Sequence, residues 1–213
     1  MNIADPRIRL MTPIETYKDY PHLASVTALM TRHGVSPDYS KMQFINQTTL
    51  AAKASRGTHA HSITEQFDKG ILGEVPDGMQ GFADGWAKFR EDSGFTPTII
   101  EAKAANLIHG YVGTMDRAGT ISIPYHTFNR KGDGVVVQGW TVIDIKTGQE
   151  FAYHGIQMAA YSGLLLDGMA YNRMALYLPG DGSYKPVIFD DPADYSVWLA
   201  ITTIENWNHR GKK

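Results

Sequence analysis

The heptapeptide VIDIKTG (142–148) closes an apolar run with a carboxylate and an ammonium two residues apart. Side chains alternate across an extended strand, so Asp144 and Lys146 share one face and Ile143 and Ile145 the other. Taken alone, this suits a solvated strand end before a Thr-Gly turn as well as it suits a reactive site. The segment YVGTMD (111–116) alternates in the same way, with Val112, Thr114 and Asp116 facing together. It predicts Asp116 at a strand end beside a turn, where aspartate is common because it bonds its own backbone. Glu101, in TIIEAK, follows two isoleucines in a further strand; by itself it reads as an edge-strand carboxylate.

On neighbouring strands the three acids would act together. Two like charges ~4 Å apart at an effective dielectric of ~20 repel by roughly 4 kcal/mol. Lys146 offsets one acid only, so the remaining negative charge either raises carboxylate pKa values or binds a dication. Carboxylate oxygens without thiolates favour Mg2+ or Mn2+ over zinc. Such a centre suits phosphoryl transfer to water, with the cation polarising the phosphate and Lys146 orienting the water or stabilising developing charge. Two helical pairs flank these strands in sequence: His61 and Glu65 in GTHAHSITEQ, and Gln157 and Tyr161 in GIQMAAYSG. Each pair is four residues apart and so shares a helix face; singly, each reads as ordinary helix surface.

The elements that must carry these residues follow from periodicity and punctuation. Residues 1–22 read as an irregular lead-in. Ser25 caps a short helix over 26–33, ended by Gly34. Ser36 and Pro37 open a second helix to about Arg56, and a third runs from Gly57 and Thr58 to Gly70. After a loop over 71–80, a helix over 81–92 places Phe82, Trp86 and Phe89 on one face. Strands are predicted over 97–105, 107–116 and 119–128, with Asn106 and Gly119 near turns. NRKGDG (129–134) is a strong turn signal before a strand over 135–146, interrupted at Gly139. A helix over 154–167, a hairpin over 176–189 turned at 180–182, and a helix from Asp191 and Pro192 to His209 complete the chain, leaving a frayed lysine tail. The order implies one domain over 1–213, mainly helical over 1–94 and sheet-containing over 95–213.

The chain has 213 residues, 43% hydrophobic and 20% charged, with a net charge of −2, so bulk positive charge does not drive any nucleic-acid binding. Local cations would have to do so. Arg130 and Lys131 sit on a turn that could reach DNA, and Arg117, Lys41, Lys53 and Arg56 are further candidates, although a solvated helix face explains the helical ones equally. Trp86, Phe89, Trp198 and Trp207 read as core. With no cysteine, thiolate zinc sites and iron–sulfur clusters are excluded. No apolar run approaches a membrane span, and the first residues lack a signal-peptide pattern, so the expectation is a soluble, non-secreted protein.

Five motifs then stand in order: GTHAH (57–61), Glu101, GTMD (113–116), DIKTG (144–148) and QMAAY (157–161). Together they resemble the PD-(D/E)xK nuclease superfamily, in particular its RecB-like, phage-type exonuclease branch, which includes the mitochondrial genome maintenance exonuclease. The resemblance covers roughly Ser25 to Tyr161. It implies an α/β fold of mixed α+β type: a restriction-endonuclease-like core with a central mixed β-sheet flanked by helices, and an N-terminal helical segment. It implies Asp116 and Asp144 as direct ligands of Mg2+ or Mn2+, Glu101 and His61 as metal-assisting groups, and Lys146 as the catalytic lysine. Gln157 and Tyr161 would brace the site and contact DNA. His59 is the less favoured histidine, and Glu65 is a supporting residue only. The implied activity is DNA exonuclease in recombination, repair or phage DNA processing, in the cytoplasm or that of a host. A recombinase, a single-strand-binding protein or further copies of the chain are the candidate partners. The alternatives are an endonuclease on the same scaffold, a non-catalytic nucleic-acid-binding subunit, and a hydrolase of a non-nucleic substrate. The subgroup stapled by an iron–sulfur cluster is excluded, and the absence of helicase motifs leaves any motor to another chain.

Overall fold

The chain's helices begin and end where side-chain chemistry satisfies their free backbone groups. The computed structural model describes residues 8–41, 46–167 and 171–210. Helix α1 (Val26–Arg32) is capped by Ser25, whose hydroxyl accepts the amide of Ala28, and Gly34 follows it at φ +71°. Helix α2 (Gln47–Lys69) is capped by Asn46 and stops at Gly70, which adopts the left-handed conformation that glycine tolerates best. Helix α3 (Gln80–Ser93) buries Phe82, Trp86 and Phe89, the predicted face. Helices α4 (Tyr153–Ser162) and α5 (Ala193–Arg210) complete the set. None of the described helices is long and apolar enough to cross a membrane.

These helices flank a mixed sheet, the architecture expected for a mixed α/β fold. Strands β1 (Thr12–Pro13), β2 (Ala24–Ser25), β3 (Phe95–Asn106), β4 (Tyr111–Asn129), β5 (Gly134–Lys146), β6 (Asn172–Tyr177) and β7 (Lys185–Ile188) pair in the order β1-β3-β4-β5-β6-β7, with β2 beside β4. The β3–β4–β5 meander is antiparallel, β5–β6 is parallel, and β6–β7 is an antiparallel hairpin. The far end of β4 curls back to pair with β7 at Phe128 and Asn129. One face packs Ile99, Met115, Ala118 and Val142 against α1, α4 and α5. The other packs Phe95, Ile121, Ile143 and Ile145 against Ala60 of α2 and Phe82, Trp86 and Phe89 of α3.

Several boundaries differ from expectation: α4, predicted to reach residue 167, ends at Ser162, and β6 starts at Asn172, ahead of the hairpin predicted from 176. The helix predicted to break at Gly57 runs through it. A mid-helix glycine costs only ~1 kcal/mol relative to alanine, too little to stop a helix whose later turns bury Ala60, Ile63 and Thr64. The proposed earlier start at Ser36 is replaced by a 3-10 turn at Tyr39–Lys41, and residues 42–45 lie outside the described residues, as do 1–7 and the lysine tail. Gly119 makes no turn. A Cβ there would lie 2.1 Å from the Thr96 carbonyl oxygen, so glycine is required by close strand approach, and β4 continues through it. Asp116 therefore lies mid-strand, not at a strand end. Gly139, at φ +89°, bends β5 without ending it, and the β4–β5 register slips between Ile121 and Tyr125. Trp86, Phe89 and Trp198 are core, but Trp207, near the end of α5, is 71% exposed.

Helices α1 and α5 are joined by a charged cluster. Buried Glu205 takes His33 Nε2 at 3.0 Å, His209 Nε2 at 2.9 Å and the Arg32 guanidinium. Burial alone would raise its carboxyl pKa, but the two histidine bonds and the Arg32 charge hold it below the ordinary 4.5. A depressed carboxyl stabilises the fold above the unfolded-state pKa and loses that contribution as pH falls through the folded value. Glu205→Gln should thus cost about 1–2 kcal/mol at pH 7. In paired thermal melts the gap between variant and wild type should close below the ordinary glutamate pKa.

Candidate metal centre

Strands β4 and β5 stay paired from Phe128 only as far as Arg117 opposite Ile143, and then part. Beyond that point β5 pairs with β6 on its other side, Asp144 with Ala175 and Lys146 with Tyr177. The Ile145 amide is thus left without β4 backbone to bond. Asp116 Oδ2 accepts it at 2.7 Å, so the side chain replaces the missing ladder bond at the fork. An unsatisfied buried amide is costly, which fixes the Asp116 rotamer.

The same place is irregular in β3 and β4. The pairs Ile100–Arg117 and Ala102–Met115 leave Glu101 opposite Asp116, and Glu101 has φ +45°. A non-glycine residue held there stores about 1–3 kcal/mol of strain. Strict alternation would put Met115 and Arg117 on one face. Instead Met115 packs toward α4 with Ala118, while Arg117 reaches Thr64 and Asp68 of α2 and Trp86 of α3. The slip brings both Asp116 and Glu101 beneath α2, where His61 projects. His61 Nδ1 lies 3.3 Å from Glu101 Oε1 and 3.5 Å from Asp116 Oδ1. One ligand atom from each of His61, Glu101 and Asp116 falls within 4.8 Å of the others, and this group can hold a metal ion.

Asp144, on the neighbouring strand, is paired with Lys146. Its Oδ2 lies 2.6 Å from Lys146 Nζ, an ion contact outside hydrogen-bond angles, and that buried oxygen accepts no hydrogen bond. The resemblance implies Asp144 as a direct ligand; here its Oδ2 faces the Lys146 ammonium. It remains coupled to the centre: its charge helps to raise both Asp116 and His61. Lys146 Nζ also donates to Gln157 Oε1 at 2.9 Å, and Gln157 Nε2 donates to the Tyr161 hydroxyl at 2.9 Å. Burial together with Asp144 and Asp116 pushes the Tyr161 phenol far up, so it stays protonated.

Burial of His61 would lower its pKa, but Asp116, Glu101 and Asp144 raise it to about 9. Burial raises Asp116, reinforced by Asp144 and Glu101 and opposed by His61 and Lys146. Concentrated negative charge and one imidazole make a donor set suited to a cation.

Arg117 corrects the expectation of a DNA contact. Its side chain is fully buried. Its guanidinium donates to Asp68 Oδ2 at 2.6 Å, Glu101 Oε1 at 3.0 Å, Thr64 Oγ1 at 3.1 Å and the Asp116 carbonyl at 2.6 Å. It orients Glu101 from behind and cannot reach solvent. Asp68 takes further bonds from Trp86 and Arg90. Glu65 pairs with Lys69, not with His61, and His59 bonds back to Ser55 on an exposed face. Arg56 bonds the Pro179 carbonyl and stacks over Phe82, Lys41 pairs with Asp38, and Lys53 is exposed. Arg130 and Lys131 are exposed on the β4–β5 turn, Lys131 4.0 Å from Asp191.

Sequence reasoning missed three contributors. Asp68 carried a usable signal, an acid continuing at four-residue spacing the buried face of Ala60 and Thr64. Tyr17, in the lead-in, bonds Thr114 Oγ1 at 2.7 Å on the strand that carries Asp116. His154 bonds the Tyr177 hydroxyl at 2.7 Å; burial and the Lys146 charge lower it to about 4, so it is neutral. Neither Tyr17 nor His154 has a local motif.

No family model matches the chain, and no curated protein matches it.

Mn2+ or Mg2+ should raise the melting temperature of the wild type, by about 2.7 kcal/mol of added stability at a hundredfold excess over Kd. Glu101→Gln and Asp116→Asn should each abolish that increment in a thermal-shift titration; an undiminished shift in both would place the cation elsewhere. Arg117→Met leaves Asp68 and Glu101 without their shared partner and should cost ~3–5 kcal/mol in denaturant unfolding.

Proposed function

We propose that this chain is a divalent-metal-dependent deoxyribonuclease of the PD-(D/E)xK kind, hydrolysing DNA phosphodiesters as an exonuclease. The observation that carries this reading is the convergence of His61, Glu101 and Asp116 beside the Asp144–Lys146 pair at the β4–β5 fork. Carboxylates with a single imidazole suit Mg2+ or Mn2+. His61, Glu101 and Asp116 would hold the ion, with the Asp144–Lys146 pair beside it. When bound there, the ion supplies Lewis-acid polarisation of the phosphodiester and acidifies water.

The chain's own groups do the rest. The Asp144 carboxylate lies against the Lys146 ammonium, and Gln157 holds that ammonium by a second contact. Tyr161 accepts the Gln157 amide N–H, which turns the amide oxygen toward Lys146. An ammonium fixed in this way needs no reorganisation as negative charge grows on the phosphoryl oxygens. Arg117 and the strained Glu101 backbone fix the opposite wall. DNA is the proposed partner and the cytoplasm the proposed compartment. A recombinase, a single-strand-binding protein and self-association are further proposals that follow from the motif resemblance.

The test is digestion of end-labelled linear, covalently closed circular, single-stranded and duplex DNA with Mg2+ or Mn2+. The wild type should degrade linear DNA and leave the closed circle intact; a nicked or linearised circle would indicate the endonuclease alternative. Asp144→Ala should lose at least about a hundredfold in rate, with its circular dichroism spectrum and much of its DNA affinity retained. Failure of the wild type to cut any of these substrates with either cation would defeat the reading.

A further inference from the structure

The far half of β4 separates from β7 before the two strands pair at Phe128 and Val187. The gap is a cleft of about 630 Å³ between α3, the β4–β5 turn and the start of β7. We infer that this cleft binds a short stretch of single-stranded DNA, with phosphates along Lys88, Arg130 and Lys185 and a base stacked on Phe128.

The first argument is charge. In a chain of net charge −2, the cleft collects three cations, Lys88, Arg130 and Lys185, against two carboxylates, Asp92 and Glu150. Both carboxylates are engaged: Glu150 lies 2.9 Å from Lys185 Nζ, and Asp92 accepts the Tyr184 hydroxyl. Lys88 and Arg130 are exposed and have no ion-pair partner among the described residues. Among the lining residues the excess is one positive charge; Lys185 is shared with Glu150, Arg130 also acts on Asp194 from the edge of the cleft, and Lys88 faces it without a carboxylate partner among the described residues.

The second argument is the aromatic lining. Phe128 is 62% exposed although it sits inside a strand. Tyr125 donates to the Tyr184 hydroxyl, and both rings pack edge-on against Phe89, which gives the cleft a rigid floor. Cations interleaved with an exposed ring and a fixed floor are the chemistry of single-strand binding, where any base can stack and the backbone is held by charge. Duplex DNA keeps its bases stacked inside, so the Phe128 ring has nothing to meet there. An acidic peptide would use the cations and leave the ring idle.

The third argument is position. Tyr177 of β6 pairs with Lys146 on one side and with Lys185 on the other. At the ~4.8 Å spacing of paired strands, Lys185 lies about two strands, or ~10 Å, from the lysine of the metal centre. A strand seated in the cleft would lead toward that centre. This last point rests on the nuclease reading; the charge and stacking arguments do not.

The test is fluorescence anisotropy of the full chain, in chelator to prevent cleavage, with labelled oligothymidine of about 12 nucleotides and a duplex of equal length. Oligothymidine should bind more tightly than the duplex. Phe128→Ala should weaken it by about fivefold to a hundredfold, and Phe128→Trp should restore it. Lys88→Gln with Arg130→Gln should lower the slope of log affinity against log salt by about 1.4. All three variants should melt with the wild type, because these side chains are exposed. Equal binding of duplex, unchanged affinity in Phe128→Ala, or competition by polyglutamate as strong as by oligothymidine would overturn the inference. Chelator removes the nuclease step from the readout, so a protein that binds this way without ever cutting would defeat only the proposed function, and one that cuts with unchanged affinity in these variants would defeat only the cleft.

Discussion

Where β4 and β5 part, the Ile145 amide would be buried without a partner, and the Asp116 carboxylate takes its place in the ladder. Much of the centre depends on that substitution. A carboxylate committed to a backbone amide cannot move away from its neighbours, so Glu101 across the strand and Asp144 on the next strand must be accommodated at close range. The fold meets this with His61 from above, Arg117 from the side and Lys146 from below, each cation placed against a particular acid.

Arg117 shows how this is organised. An uncompensated buried charge is among the costliest features a core can contain. Here the guanidinium is surrounded by Asp68, Glu101, Thr64 and the Asp116 carbonyl and lies over the Trp86 ring. Asp68 in turn binds Trp86 and Arg90, so the network ties α2, α3 and β4 into one unit behind the acids. The aromatic core of Trp86, Phe89 and Phe95 gives that unit a dry setting. Rigidity at the back of the centre and strain at Glu101 belong to the same construction: the packed network holds the backbone where it would not otherwise stay.

The two faces of the sheet contribute differently. From the α2 side come His61 and the Arg117 network. From the α4 side come Gln157 and Tyr161, which reach Lys146 because residues 144 and 146 face that helix while Ile143 and Ile145 face α3. The strand fork is the place where groups from both faces can meet, since between paired strands the backbone itself would separate them.

Much of this was legible in the chain. Alternation put Asp144 and Lys146 together, four-residue spacing put Gln157 beside Tyr161, and Ser25, Gly70, the 129–134 turn and the 180–182 hairpin marked real boundaries. These features depend on neighbours within a few residues, where periodicity, capping and turn chemistry act. Only the tertiary structure decided that Asp116 lies mid-strand, that Gly119 is a packing glycine and not a turn, that Arg117 is sealed inside, and that His61 meets Glu101 and Asp116 from a helix distant in the chain. Each of these is set by which distant strand or helix lies alongside and by how a buried charge or amide finds its partner there. A short window of sequence shows that a charge is present, but its burial and its counter-charge come from residues far away in the chain.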